Sequence, residues 1–397
     1  MSLIEKASML AMAGAVVGGV ARERIGPAIT LRDLAEVPPT ADALTTEWLT
    51  AALCGGTPGA AVTSLEITGG SDGTSSRRAI RVEYNAVGRQ AGLPTQLFSK
   101  AAAGVFSRLL LGLTDITEGE AVFYTRIRGD LDVRSPRAFH AGFDRRTRRS
   151  FVLLEDLTST GWSFPAPMDN TVTREDADAI VEQLASYHAA MWDSPRFRTD
   201  LSALKRADRW QADLDRRVGF ESRTMRGFDR AVAVMADDLG RRRHELYPAF
   251  RRSLELHAEA PPTLLHQDLH LGNWLRDPDG QMGLYDWQCV AVGHWALDLS
   301  YALAGCLATE NRRAWEEELV RTYCAQLASR GVRTGPSFDE AWTAYRTHPL
   351  HALAFGLFTL GGTRFEPELQ PRDYTLAAIR RIAAFVSDHA TLDLLAR

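Results

Sequence analysis

Between Val62 and Leu154 apolar residues fall in short, often alternating runs, whereas beyond Leu157 they recur at three- and four-residue spacing. The first texture predicts strands and the second predicts helices. Val62–Ile67, the alternating Ala79–Tyr84, Thr95–Lys100, Arg137–Ala141 and Ser150–Leu154 read as strands. A Gly/Ser/Thr-rich turn over Thr68–Ser76 and a polar turn over Asp144–Arg149 separate four of them. Glu118–Ile127 interrupts the strands as a helix, with Ala121, Tyr124 and Ile127 available to a sheet. Ahead of them, Pro38-Pro39 makes a turn, and a helix opens after it with Thr40 and Asp42 available as caps. Downstream, Thr173–Trp192 reads as a long amphipathic helix capped by Thr173, followed by helices at about 205–258, 295–330, 338–362 and 371–394. Thr263–Gln288 is the clear β interruption.

This pattern predicts an α+β chain in three parts: an N-terminal arm over 1–40, a β-rich lobe over 41–157, and a mostly helical lobe over 158–397. The apolar run Met9–Val20 is too short to span a bilayer, which takes about 20 apolar residues. Glu5 before the run and Arg22 and Arg24 after it weigh against a signal segment, leaving a docked arm as the expectation.

With 46 Lys+Arg against 50 Asp+Glu, the net charge of -4 argues against a nucleic-acid binder. The basic runs Arg145–Arg149 and Arg241–Arg243 have acids nearby and read as solvated faces. Cys54, Cys289, Cys306 and Cys324 form no CxxC pair, so neither a disulfide framework nor a structural zinc site is expected, and a cytoplasmic location fits. Trp162, Trp192, Trp274, Trp287 and Trp295 read first as core.

The densest chemistry lies in Leu264-Leu-His-Gln-Asp-Leu-His-Leu-Gly-Asn273 and Gly283-Leu-Tyr-Asp-Trp287. Asp268 and Asn273 stand five positions apart, and Asp286 follows Asp268 by eighteen. Leu264-Leu265 and Gly283–Tyr285 read as strands joined as a hairpin by the turn Asp277-Pro-Asp-Gly280. Such a frame places a carboxylate and an amide on one loop and a second carboxylate on the opposite strand end. Phosphoryl transfer uses that set: one Asp for the attacking hydroxyl, and an Asn oxygen with a second Asp for Mg²⁺, a hard ion that prefers oxygen ligands.

The segment H-x-D-x-x-x-x-N with Tyr285-Asp-Trp287 resembles the aminoglycoside-phosphotransferase and choline-kinase superfamily, a branch of the protein-kinase-like fold. Tyr285–Gln288, Gly293 and Asp298-Leu299 look closest to its ecdysteroid-kinase-like branch, as do Leu153–Leu157, Glu120–Tyr124 and Leu184–His188 with Trp192. The resemblance covers about residues 60–360 in consistent order. It implies a protein-kinase-like two-lobe fold and an enzyme that transfers phosphate from ATP, with Mg²⁺, to the hydroxyl of a small-molecule acceptor. Asp268 would be the catalytic base, and Asn273 and Asp286 the Mg²⁺ ligands. Lys100 would contact the α- and β-phosphates and pair with Glu120. Glu155 and Leu157 would offer backbone groups to adenine. His266 would support the catalytic loop, and Asp298 would brace it.

The sequence departs from the family at Gln267, where many relatives have Gly, and at Gly69–Ser76, which is not GxGxxG. Gly70, Gly73 and Ser75 can still cradle phosphate through close backbone approach and a hydroxyl. The apolar, aromatic stretches Trp342–Tyr345 and His351–Phe358 point to an acceptor less cationic than an aminoglycoside, such as a steroid-like or polyketide-like alcohol. Two other readings compete: a nucleotide-binding pseudokinase or scaffold, and a metal-dependent hydrolase built on His266, Asp268 and His270. His188 reads as a structural histidine. Neither the acceptor's identity nor the oligomeric state is written in a motif.

Overall fold

Ile80, Val82 and Tyr84 are buried and Arg81 and Glu83 exposed, so one face of this strand builds a core. The computed structural model describes the chain apart from residues 1–2, 27–28, 30, 73–74, 103, 115, 166–171, 259, 364–365, 367–368 and 397. It divides into two units: residues 1–130 with 136–161, and residues 131–135 with 162–397.

In the first unit α1 (Leu3–Ile25) and α2 (Thr46–Cys54) precede β1 (Val62–Asp72) and β2 (Ser76–Tyr84). Next come α3 (Ala86–Gln90), β3 (Gln96–Ala101), α4 (Val105–Thr114), α5 (Ile116–Val122), β4 (Ala138–Asp144) and β5 (Arg149–Glu155). The strands form one antiparallel sheet in the order β1-β2-β3-β5-β4. Trp48 and Leu49 of α2 pack with Ile80, Val82, Leu97, Phe151 and Leu153 as its core. Three details depart from the sequence pattern. The glycine-rich turn is narrower than Thr68–Ser76, because β1 and β2 stay paired out to Asp72 and Ser76. The α2 cap is Thr45, whose hydroxyl accepts the Trp48 N–H at 3.2 Å; Thr40 instead precedes a short 3₁₀ turn. The glycine-rich N-terminal run is helical despite poor propensity. There Val16 and Val20 are buried, and Glu23 pairs at 2.5 Å with the buried Arg108 of α4.

The second unit opens with α6 (Arg174–Ala190), capped reciprocally by Thr173 and Asp176. It continues through α7 (Ala207–Val218), α8 (Phe220–Ala231), α9 (Asp237–Arg241) and α10 (Arg243–Glu255). Four three-residue strands follow, β6 (Thr263–Leu265), β7 (Trp274–Arg276), β8 (Met282–Leu284) and β9 (Ala291–Gly293). The chain ends in α11 (Ala296–Cys306), α12 (Thr309–Ser329), α13 (Phe338–Thr347), α14 (Leu350–Leu360), α15 (Arg372–Asp388) and α16 (Thr391–Leu395). Every residue of α11 is buried, which makes it the unit's central helix. The expected hairpin is re-paired: β8 joins β7 across the Asp277 turn, while β6 pairs with β9. The segment 266–273 is thereby suspended between two small sheets. No described helix is long and apolar enough to cross a membrane.

Candidate active site

After β6 the chain turns sharply, and Gln267 adopts a left-handed φ of 67°. That conformation is costly for any residue with a side chain and persists only where surroundings enforce it. Asp298 of α11 enforces it, accepting the His266 N–H on Oδ2 at 2.7 Å and the Gln267 N–H on Oδ1 at 3.0 Å. Tyr187 of α6 donates its hydroxyl to the same carboxylate at 2.6 Å. Burial pushes the Asp298 carboxyl up, yet the His188 ring 3.5 Å away, the Tyr187 hydroxyl and the His266 N–H hold it below its ordinary value, so it stays ionised. From the other side the His351 ring of α14 donates Nε2–H to the Gln267 carbonyl at 3.1 Å.

Asp268 emerges from this clamp partly exposed. Its Oδ2 accepts from Asn273 Nδ2 at 3.1 Å, and its Oδ1 accepts from the Tyr301 hydroxyl at 3.3 Å. Asn273 Nδ2 also donates to the Asp268 carbonyl at 2.8 Å, so the amide oxygen is the atom left for a cation. His270 Nε2 lies 3.7 Å from Asp268 Oδ1. The buried His266 donates Nε2–H to the Tyr285 carbonyl at 3.0 Å and accepts the Asp268 N–H on Nδ1 at 3.3 Å. Both its nitrogens are thus committed to shaping the loop.

The β7–β8 hairpin carries Asp286 at its end, also left-handed at φ 61°. Tyr285 ties the two segments together. Its N–H donates to the Asn273 carbonyl at 3.1 Å, and its hydroxyl donates to the Gly272 carbonyl. Trp287 is fully buried against His266 and donates its ring N–H to Ser135 at 3.2 Å. Trp274 and Trp295 are core as well. Asp268, Asn273 and Asp286 therefore sit on one cross-braced loop system.

Within the first unit, Lys100 of β3 and Glu120 of α5 are both buried, with Nζ 3.2 and 3.1 Å from the two carboxylate oxygens. At Gly70 an added Cβ would fall 2.2 Å from the Arg77 carbonyl oxygen, so this strand pairing admits no side chain. Ser75 is buried, and Gly73 lies outside the described residues. The Glu155 carboxylate accepts the Arg137 N–H at 2.7 Å, and Leu157 is buried at the start of a 3₁₀ turn capped by Asp156.

Several residues around Asp268 carry no sequence signal. Tyr374 of α15 bonds His270 from a hundred residues away. Tyr301 was within reach, since it stands one helical turn after Asp298 on α11.

A family model described as "Phosphotransferase enzyme family" (APH) matches residues 117–338, more than half of the chain. The chain belongs to this phosphotransferase family. No curated protein sequence matches it. Among solved structures the phosphotransferase is similar to the GDP complex of wild-type aminoglycoside 2'-phosphotransferase-IIIa at 14% identity, covering 87% of this chain and 99% of that one, with a TM-score of 0.45. It is similar to choline kinase LicA from Streptococcus pneumoniae at 15% identity, covering 82% and 94%, with a TM-score of 0.43. A third is macrolide 2'-phosphotransferase MphH from Brachybacterium faecium, at 14% identity, covering 82% and 93%, with a TM-score of 0.42. The phosphotransferase has the α+β, kinase-like fold, with a five-stranded antiparallel sheet in one unit and a helical second unit.

Proposed function

We propose that this phosphotransferase moves the γ-phosphoryl group of ATP onto a hydroxyl of a small alcohol, with Asp268 as the base, and that it stands closest to the ecdysteroid-kinase-like branch. The observation that carries this reading is the Asp268 carboxylate, oriented by Asn273 and Tyr301 on a loop locked by Asp298. A hydroxyl donating to Asp268 turns a lone pair toward the γ-phosphorus. The oxygen–phosphorus bond forms, the bond to the bridging oxygen breaks with its electrons going to ADP, and the hydroxyl proton passes to Asp268. In this reading Lys100, held by Glu120, contacts the nucleotide phosphates together with Gly70 and Ser75, and Glu155 and Leu157 meet adenine. The Asn273 amide oxygen and the Asp286 carboxylate are hard oxygen donors and fit Mg²⁺. When bound, the ion neutralises phosphate charge. A cytosolic setting suits four cysteines that form no CxxC pair.

The groups nearest Asp268 favour an uncharged acceptor. Tyr301, His270 and, behind it, Tyr374 and Gln370 are hydrogen-bonding residues rather than carboxylates for an amine. The aromatic side chains that suggested a steroid-sized wall pack on one another instead, Phe358 stacking on Phe220 at 4.6 Å and Phe355 on Trp210 at 5.8 Å. The hydrolase reading loses its ligand set because both His266 nitrogens are engaged. Among the described residues no group of three or more His, Cys, Asp or Glu is arranged for a metal. Intact Asp268, Asn273 and Asp286 weigh against a pseudokinase.

Asp286→Ala tests the assignment. The variant is expected to keep its far-UV circular dichroism and lose Mg²⁺-dependent turnover of ATP. Turnover near the parent's at saturating Mg²⁺ would remove Asp286 from the site.

A further inference from the structure

His270 belongs to the HxDxH segment but has no part in the reaction as described so far. Its surroundings can be satisfied with the ring proton on Nε2. Tyr374 is buried, and its oxygen accepts the Gly272 N–H at 3.0 Å. A backbone N–H can only donate, so the phenol proton is free to go to His270 Nδ1, 2.8 Å away. With Nδ1 accepting, a neutral ring carries its proton on Nε2. Gln370 agrees once its amide is turned end over end, an assignment set by hydrogen bonding rather than by atom identity. Its oxygen then accepts His270 Nε2–H at 3.3 Å, and its NH₂ donates to Thr375 Oγ1 at 3.2 Å. The Thr375 proton goes to the Pro371 carbonyl at 3.2 Å.

The same Nε2–H stands 3.7 Å from Asp268 Oδ1. Two groups at that separation can both reach one oxygen placed between them at ordinary hydrogen-bond lengths. Both side chains are partly exposed, at 19% for His270 and 24% for Asp268, so an incoming hydroxyl can meet them together. We propose that His270 is a second acceptor-contacting residue: its Nε2–H binds the acceptor hydroxyl oxygen, with Tyr374 as the positioning residue that sets the tautomer. This rests on Asp268 being the base. The hydroxyl then donates its proton to Asp268, engages one lone pair with His270, and has one lone pair left for phosphorus. An oxygen free to rotate about its bond to Asp268 becomes one with a fixed line of attack. The transfer is the one written above, and His270 neither gains nor loses a proton. The subsite suits uncharged alcohols, which can donate and accept at the same oxygen.

The test combines ring spectroscopy with a double-mutant cycle. In ¹⁵N-resolved NMR of the full chain at about pH 8, where an ordinary imidazole is neutral, the His270 proton should sit on Nε2, and in Tyr374→Phe, which removes the donor to Nδ1 while Gln370 and Asp268 still face Nε2, the Nδ1-protonated fraction should rise. Kinetics use ATP with two acceptor probes, water and glycerol. His270→Ala should lower kcat/KM for the probe about tenfold, the scale of one oriented hydrogen bond. His270→Gln, whose amide supplies an N–H near the Nε2 position, should recover most of that loss. Tyr374→Phe should cost activity beside His270 but almost none beside Gln at position 270, because an amide has no tautomer to set. Multiplying losses, or a wild-type ring protonated on Nδ1, would overturn the proposal. A wild-type protein with no ATP turnover on any acceptor would instead overturn the phosphotransfer reading, while the ring spectrum would still decide the tautomer.

Discussion

Lys100 and Glu120 are both buried, and a buried charge is tolerable only when paired. Removing either breaks the pair, so their effects should not add. Lys100→Ala and Glu120→Ala should each raise KM for ATP or lower kcat, and the double variant should lose little more than Lys100→Ala. A double-mutant cycle on kcat/KM for ATP checks this, and fully additive losses would mean that Glu120 does not act through the lysine. At this scale the sequence was informative where spacing or order carries chemistry. Asp268, Asn273 and Asp286 stand out because a loop and a hairpin constrain their separation, and Lys100 because it ends a strand ahead of a helix bearing Glu120. Residues that meet through tertiary packing alone, as His270 and Tyr374 do, leave no periodic or local trace.

Helix contacts in the second unit run at backbone distance. At Gly227 of α8 a Cβ would lie 1.8 Å from the Leu357 carbonyl oxygen of α14, and at Gly361 it would lie 2.0 Å from the Arg223 carbonyl oxygen. Arg223, Arg226 and Arg230 donate to carbonyls at the α14 C-terminal end, between Phe358 and Gly362. Gly227→Ala is therefore expected to lower stability by about 1–3 kcal/mol, the cost of overpacking, measured by urea titration. An unchanged midpoint would mean that the helices separate freely. Nearby, His257, His294 and His348 form a buried cluster with ring centroids 4.4–6.1 Å apart, and His351 follows on α14. Burial pushes His348 and His351 down to about 4 and the other two well below the ordinary value. These rings stay neutral when folded, while unfolded histidines protonate near pH ~6.5. The unfolded state then binds more protons, so stability is full above pH ~6.5 and falls steadily from there toward about pH 4. Urea titrations across that range should show the decline, and a flat profile would contradict the buried neutral cluster. Strands were readable from alternation, but α1 and α4 were not, because a glycine-rich run and a helix whose Ser107 and Arg108 are buried depend on what covers them.

Across the whole chain, the change of texture after Leu157 marks the passage from sheet to helices. The return of Leu131–Ser135 to the second unit has no counterpart in composition. That short segment matters to the site: Leu284 N–H donates to the Arg134 carbonyl at 2.7 Å, and Ser135 receives the Trp287 ring N–H, so a stretch outside the motif holds the Asp286 hairpin. Family membership was readable because phosphoryl transfer needs few groups in a set order, whereas the side chains around Asp268 and His270 are scattered over α11, α15 and the loop before α15. The most direct measurement is transfer of label from γ-labelled ATP into a small-molecule library, run in parallel with the wild-type protein and Asp268→Asn. The expected result is a labelled phosphate ester of an uncharged alcohol that requires Mg²⁺. Asp268→Asn should form it roughly 10²–10⁴-fold more slowly, the range for losing a general base, while binding ATP as the parent does. Absence of a labelled ester from every alcohol, or its formation by Asp268→Asn at the parent rate, would contradict phosphotransfer at Asp268.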